Sequence, residues 1–327
     1  MSQDTEKHSF SLAQRQMRST ASQDKQSDVV LLNRCSYKGR FAPSPTGPLH
    51  FGSLLTALAS YCEAKAHHGQ WLVRIEDTDI PRIQAGAESA ILTALHAFGF
   101  EWDETVVRQQ DRLEYYEQAL EQLKASGLIY ACQCSRKQLS GLGGSNGLGT
   151  YPQTCRHLNL PFEQHAIRLK TIDQTICFDD LIQGYCCENL SQTTGDFVLK
   201  RRDGIISYQL AVVVDDALQG ITHVVRGADL LDNTARQIWL GQCLHVPQLN
   251  YCHIPLAMND QGQKLSKQNL AKPLDLRQAP QLIQQALQAL NQADVEVDSP
   301  QRMLVRAVNQ WDMGRVSRQG QLQGVFE

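Results

Sequence analysis

Arg40-Phe41-Ala42-Pro43-Ser44-Pro45-Thr46-Gly47-Pro48-Leu49-His50-Phe51-Gly52-Ser53 is the stretch that decides how this chain folds. Tyr37 to Ala42 reads as the end of a strand. Pro43, Pro45 and Pro48 then exclude helix. A helix starts from Gly52 and carries an apolar stripe of Leu54, Leu55, Leu58 and Tyr61 towards Gly69. Beyond it, Trp71 to Ile75 reads as a buried strand ending in the acidic Glu76, Asp77 and Asp79. Ala85 to Phe98 and Asp111 to Ala125 have amphipathic helical spacing. Strand, turn, helix, strand, helix is the rhythm of an α/β domain of Rossmann type with a parallel sheet.

The chain has 327 residues, 42% hydrophobic and 20% charged, which suits a folded protein and excludes wholesale disorder or a collagen-like repeat. It has no run of about 18 apolar residues, so no membrane-spanning helix and no membrane partner are expected. With 31 basic against 34 acidic residues, the net charge of −3 argues against a globally basic nucleic-acid binder and leaves room for a local basic groove. The first thirty residues hold no apolar segment that could act as a secretory signal. Ten cysteines without such a signal point to the cytoplasm, with thiols free or metal-bound.

The expected organisation has five parts. Residues 1–33, rich in Ser, Gln, Lys and Asp, form a disordered extension. The first half of the catalytic domain covers 34–130, an inserted cysteine module 131–165, and the second half of the domain 166–245. Residues 246–327 carry a lysine-bearing loop and helices. Gly141 to Gly149 lacks dinucleotide-binding spacing and reads as a loop. Cys62, Cys177, Cys243, Cys252 and Cys35 read as buried small apolar groups, and Cys186-Cys187 as a structural pair pointing opposite ways on a strand.

Three clusters carry chemistry. A helix starting behind a rigid turn offers unpaired N–H groups and a positive dipole end, which suits phosphate, with His50 beside it. The turn is equally compatible with an ordinary strand-to-helix connection. Asn259 to Gln268 is a polar loop with Lys264 and Lys267 three apart, able to close over a polyphosphate and neutralise a leaving pyrophosphate. Cys132, Cys134 and Cys155 lie close enough in sequence for tetrahedral zinc, and spacing alone admits His157 as a fourth ligand.

Taken together, these motifs resemble the class I glutamyl/glutaminyl aminoacyl-tRNA synthetase family. Its HIGH motif corresponds to His50-Phe51-Gly52-Ser53 and its KMSKS motif to Lys264-Leu265-Ser266-Lys267-Gln268. The likeness runs from about Gly39 to Asn269. Phe51, Ser53 and Gln268 depart from the pattern; His50, Gly52 and Lys267 keep it. The resemblance implies ATP with Mg2+ as cosubstrate, bound by His50, Gly52, Ser53, Lys264 and Lys267, and catalysis by His50, Gly52, Lys264 and Lys267. It implies L-glutamate bound by Arg40, Phe41, Ala42, Pro43, Ser44, Glu76, Tyr208 and Arg226. Two guanidinium forks, one carboxylate and a hydroxyl match glutamate charge by charge. Arg226 favours glutamate over glutamine, because a neutral amide leaves a buried guanidinium unpaired. The resemblance also points to one structural Zn2+ held by Cys132, Cys134, Tyr151 and Cys155, with tyrosine as fourth ligand.

Relatives that charge their own tRNA carry anticodon-binding domains after the lysine loop. The 59 residues after Gln268 suffice for one or two packed helices and not for such a domain. The chain therefore looks like the truncated branch that transfers glutamate to queuosine in the anticodon stem-loop of tRNA(Asp), acting as a monomer. Two alternatives stay open. One is a truncated synthetase that charges a 3′ end with a helper chain, and the other a non-catalytic tRNA or amino-acid binder.

Overall fold

β1 (Lys38–Phe41) runs into the proline-rich turn, and α1 (Phe51–Ala66) starts on its far side. The strand stops there because three prolines within six residues offer no N–H to a sheet ladder. The helix starts at Phe51 because His50 caps it: its Nδ1 accepts the Ser53 N–H at 3.3 Å. The chain returns as β2 (Gln70–Ile75), parallel to β1 with Arg40 opposite Leu72. The computed structural model describes residues 37–139, 150–258 and 272–323. The N-terminal extension, the glycine-rich loop at 141–149 and both loop lysines, Lys264 and Lys267, fall outside the described residues.

After α2 (Ala87–Ala97), β3 (Val107–Arg108) joins the free side of β2, and α3 (Leu113–Ala125) follows. β4 (Ile129–Cys132) and β5 (Ala166–Leu169) pair antiparallel on either side of the cysteines. A hairpin of β6 (Thr175–Asp180) and β7 (Gly184–Asn189) comes next. β8 (Phe197–Lys200) then adds to β5, giving a three-stranded antiparallel sheet.

The apolar run Leu210 to Val214 forms the middle of α4 (Tyr208–Leu218), capped by the Ser207 hydroxyl. β9 (His223–Gly227), α5 (Thr234–Leu244) and β10 (Asn250–Ile254) repeat the crossover of the first half, so β9 and β10 pair in parallel. Strand order here is β7-β6-β10-β9. β1 meets β9 at Thr222, whose N–H donates to the Lys38 carbonyl at 2.9 Å while its hydroxyl accepts the Lys38 N–H. The parallel α/β expectation is met. Beyond it, β11 (Leu256–Met258) pairs with β12 (Gln321–Gln323), and α6 (Ala279–Ala289) and α7 (Pro300–Asn309) follow Asp275. Ile283, Leu287, Met303 and Leu304 from these helices share one core with Leu54, Leu55 and Leu58 of α1. Each such side chain contributes about 1.5–3 kcal/mol on burial.

The cysteine expectations need one correction. Cys177 and Cys187 form a disulfide rather than two free thiols. They are directly opposite in the β6–β7 register, with Cα atoms 4.1 Å apart, and their face of the hairpin points to solvent. Sequence spacing cannot show a register that depends on where the hairpin turns. Cys186 points the other way, towards the core, as alternation on a strand requires. Cys62, Cys243 and Cys252 are buried free thiols, as expected, and Cys35 is outside the described residues.

Candidate active site

Arg40 and Arg226 are each the last residue but one of their strands, β1 and β9, which meet at Thr222. From this junction the connections run opposite ways, α1 towards β2 and α5 towards β10. Such a switch point leaves a crevice at the carboxyl ends of the strands. A cavity of about 590 Å3 fills it. Arg40, Phe41, Ala42, Pro43 and Ser44 line it from the end of β1, and His50, Gly52 and Ser53 from the start of α1. Glu76, Tyr208 and Arg226 complete the wall. Every described residue assigned to glutamate or ATP thus reaches one cavity.

Charge inside the wall is arranged by residues the sequence reading passed over. Arg40 makes a two-pronged contact with Asp216, Nε to Oδ1 at 3.1 Å and Nη2 to Oδ2 at 3.3 Å. Asp216 also accepts from Arg74 Nη1 at 2.7 Å, and Arg74 Nη2 reaches Glu76 Oε1 at 3.3 Å. Next to it, Asp215 accepts from Gln109, Arg112 and Tyr116. Burial works against charge on Asp216, but Arg40 and Arg74 outweigh it and hold the carboxyl below the usual carboxylate range. For Glu76 burial prevails over the pull of Arg74 and Arg40, so its carboxyl sits above the usual range.

Two signals in the sequence pointed at this network. Arg74 interrupts the apolar Trp71 to Ile75, and Asp215-Asp216 closes the apolar run of α4. A charge in a buried element needs a counter-charge.

Arg226 is 3% exposed and donates to five acceptors, among them the Leu230 carbonyl at 3.4 Å. Its Nη1 reaches Gln237 Oε1 at 2.7 Å and the Tyr208 hydroxyl at 3.4 Å, its Nη2 the Thr234 hydroxyl at 2.9 Å. Nε donates to His253 Nε2 at 2.9 Å. On the same cavity wall, the first turn of α1 presents the N–H groups and dipole end that suit phosphate.

A larger hollow of about 1220 Å3 shares Ala42, Ser44, Glu76 and Tyr208 with the first. It runs past Arg201, Arg202 and Arg236 to Cys134 and Tyr151. Its five arginines, Arg82, Arg168, Arg201, Arg202 and Arg236, are matched by Glu76, Asp79, Asp196, Asp203 and Asp229, so the hollow is mixed in charge rather than a basic groove.

Three sulfurs meet at its far end. Cys132, Cys134 and Cys155 have their Sγ atoms within 4.8 Å of one another. The Tyr151 hydroxyl lies 3.3 Å from Cys132 Sγ and 3.8 Å from Cys134 Sγ. Ligands of tetrahedral zinc with sulfur at about 2.3 Å stand about 3.8 Å apart, so the donor set fits the ion. Among the described residues no histidine joins the cluster, so of the two candidates for a fourth ligand it is Tyr151 that stands there and His157 that does not. Gly195, in the left-handed region at φ 67°, lets the chain pass against the Tyr151 backbone, where a Cβ would meet the Tyr151 oxygen at 2.6 Å.

The family description "tRNA synthetases class I (E and Q), catalytic domain" matches residues 37–283. The chain belongs to that family. This class I synthetase is 64% identical over 291 residues to the glutamyl-Q tRNA(Asp) synthetase of Acinetobacter baylyi, covering 89% of this chain and 98% of that one. It is 52% identical over 289 residues to the protein of the same name from Neisseria meningitidis serogroup B, covering 86% and 98%. Among solved structures it resembles a glutamate tRNA ligase from Elizabethkingia meningosepticum in complex with its amino acid. The TM-score is 0.74 at 26% identity, and the match covers 88% of this chain and 66% of that one. This chain is therefore a ligase of the aminoacyl-tRNA synthetase type, and it spans about two thirds of the length of that solved ligase. Among its described residues no helix is long and apolar enough to cross a membrane.

Proposed function

We propose that this protein activates L-glutamate with ATP and transfers it to queuosine in the anticodon of tRNA(Asp), in the cytoplasm. The observation that carries the amino-acid half is the convergence of Arg40, Glu76, Tyr208 and Arg226 on the cavity that also holds His50. Glutamate has two carboxylates and one ammonium; this wall offers two guanidinium groups, Arg40 and Arg226, for the former, and the carboxylates of Glu76 and Asp229 for the latter. The acceptor half is supported by the similarity to proteins named glutamyl-Q tRNA(Asp) synthetase over 98% of their length.

In the first step an oxygen of the glutamate α-carboxylate attacks the α-phosphorus of ATP. Pyrophosphate leaves and glutamyl-adenylate forms. Mg2+ travels with the nucleotide and offsets its charge, His50 and the first turn of α1 hold phosphate oxygens, and Lys264 and Lys267 neutralise the departing pyrophosphate. In the second step a cyclopentenediol hydroxyl of queuosine attacks the activated carbonyl and AMP leaves. The larger hollow adjoins the small cavity at Ala42, Ser44, Glu76 and Tyr208 and is read as the entrance for the acceptor, with Arg202 and Arg236 available to its phosphates.

Three acceptors test the reading: queuosine-containing tRNA(Asp), the same tRNA without its 3′ adenosine, and an unmodified transcript. Labelled glutamate is expected on the first two and absent from the third. Label on the unmodified transcript that disappears with the 3′ adenosine selects a truncated glutamyl-tRNA synthetase instead.

Zinc at Cys132, Cys134, Cys155 and Tyr151 serves structure, tying β4 to the turn before β5. Metal analysis of reduced protein is expected to find about one zinc per chain. Cys134→Ala is expected to lose it, and hydrogen exchange should then quicken between residues 129 and 157 while the core of α1 keeps its protection. A zinc content that survives Cys134→Ala removes this assignment.

A further inference from the structure

Behind Arg226 lies a chain of buried groups that none of the chemistry above uses. His253 stands directly opposite Arg226 in the parallel register of β10 and β9. Asp180 ends β6, the next strand over, which pairs with β10 through Tyr251. His253 is 0% exposed and Asp180 4%. Their contacts form a line: Asp180 Oδ2 to His253 Nδ1 at 2.6 Å, then His253 Nε2 to Arg226 Nε at 2.9 Å.

Donor and acceptor rules fix the protons along that line. An arginine Nε can only donate, so His253 Nε2 must present its lone pair. The Thr234 hydroxyl, 3.3 Å from the same nitrogen, can donate to it as well. The single proton of a neutral imidazole then sits on Nδ1 and points at the Asp180 carboxylate. Asp180 is held in turn, because its Oδ1 accepts the N–H groups of Ile182, Gln183 and His253 at 2.9–3.2 Å. The electrostatics agree: burial lowers the imidazole's proton affinity despite Asp180, and His253 with the backbone N–H groups keeps the Asp180 carboxyl ionised despite burial.

We propose that Asp180 and His253 are positioning residues for glutamate recognition: they set one histidine tautomer, and that tautomer fixes the plane of the Arg226 guanidinium. With the Nε edge anchored, the Nη1 edge stays at Tyr208 on the cavity wall. The proposal rests on reading Arg226 as the receptor for a carboxylate of glutamate.

The substitution Asp180→Asn isolates the tautomer. Three backbone N–H groups require an acceptor at the Oδ1 position, so the new amide keeps its oxygen there. Its NH2 group then faces His253 Nδ1, which must become the acceptor. The ring proton moves to Nε2 and confronts the Arg226 Nε–H. Long-range proton–nitrogen correlation spectra of histidine-labelled protein read this directly. Wild type is expected to show His253 neutral and protonated at Nδ1, and Asp180→Asn to show the Nε2–H form. In ATP–pyrophosphate exchange the variant should raise the glutamate KM by about tenfold or more and leave the ATP KM within about twofold.

A wild-type His253 that is doubly protonated, or protonated at Nε2, overturns the proposal. So does an inverted tautomer with an unchanged glutamate KM. If Asp180→Asn does not fold, His253→Gln and His253→Leu replace it. Gln can still accept from Arg226 and Leu cannot, so Leu must show the larger rise in KM, and equal effects overturn the proposal. Arg226→Lys separates the two levels: an unchanged glutamate KM there removes the receptor reading itself. A raised KM in Arg226→Lys beside an unaffected Asp180→Asn removes only the relay.

Discussion

Arg226→Ala is expected to lower kcat/KM for glutamate by about 10²–10³-fold in ATP–pyrophosphate exchange, with little change in the KM for ATP. Arg226 is buried, already held by Gln237, Thr234 and His253, and needs no reordering to meet a carboxylate. A receptor fixed before binding spends little ligand affinity on ordering itself. Truncation removes one charge-assisted contact from a small ligand with few others, and it strips His253 of its donor. On the proposed reading ATP meets the first turn of α1 and not Arg226, and its binding should not change. An exchange rate equal to wild type at low glutamate would show that the pocket is misassigned.

Asp216→Ala should damage the protein itself. Asp216 is the shared counter-ion of Arg40 and Arg74, and both guanidinium groups are buried. Removing one member of a buried ion pair costs about 3–5 kcal/mol, because the partner keeps its desolvation penalty and loses its compensation. Thermal unfolding is therefore expected to shift down by roughly 10 °C. Any folded fraction should also bind glutamate poorly, since Arg40 loses the fork that aims it. Asp216→Asn keeps the volume and one acceptor and should fall between the two. A melting temperature within about 1 °C of wild type for Asp216→Ala would mean that water enters the network and screens it.

The first crossover was legible residue by residue. Prolines 43, 45 and 48, the apolar stripe of α1 and the buried Trp71 to Ile75 specify local conformations that neighbouring residues alone can dictate. The common place of His50, Gly52 and Ser53 on the cavity wall was legible for the same reason, because they belong to one turn. The cysteines were legible only in part. Three of them suggested a metal site by spacing, yet spacing admitted His157 as well as Tyr151. The pairing of Cys177 with Cys187 depends on hairpin register, which spacing does not encode.

What the sequence by itself determined is the set of elements, their parallel α/β order and the residue types that glutamate and phosphate require. Those follow from periodicity, from backbone restrictions at proline, and from the count of charges. Only the tertiary structure decided which charges are partners. Asp216 meets Arg40 and Arg74, and Asp180 meets His253 and through it Arg226, across gaps of 27 to 176 positions. Asp180, His253 and Arg226 come together because parallel strands set their carboxyl-terminal halves side by side, and Asp216 reaches Arg40 and Arg74 from helix α4. Once buried there, each charge needs a counter-charge that no local stretch of sequence can supply.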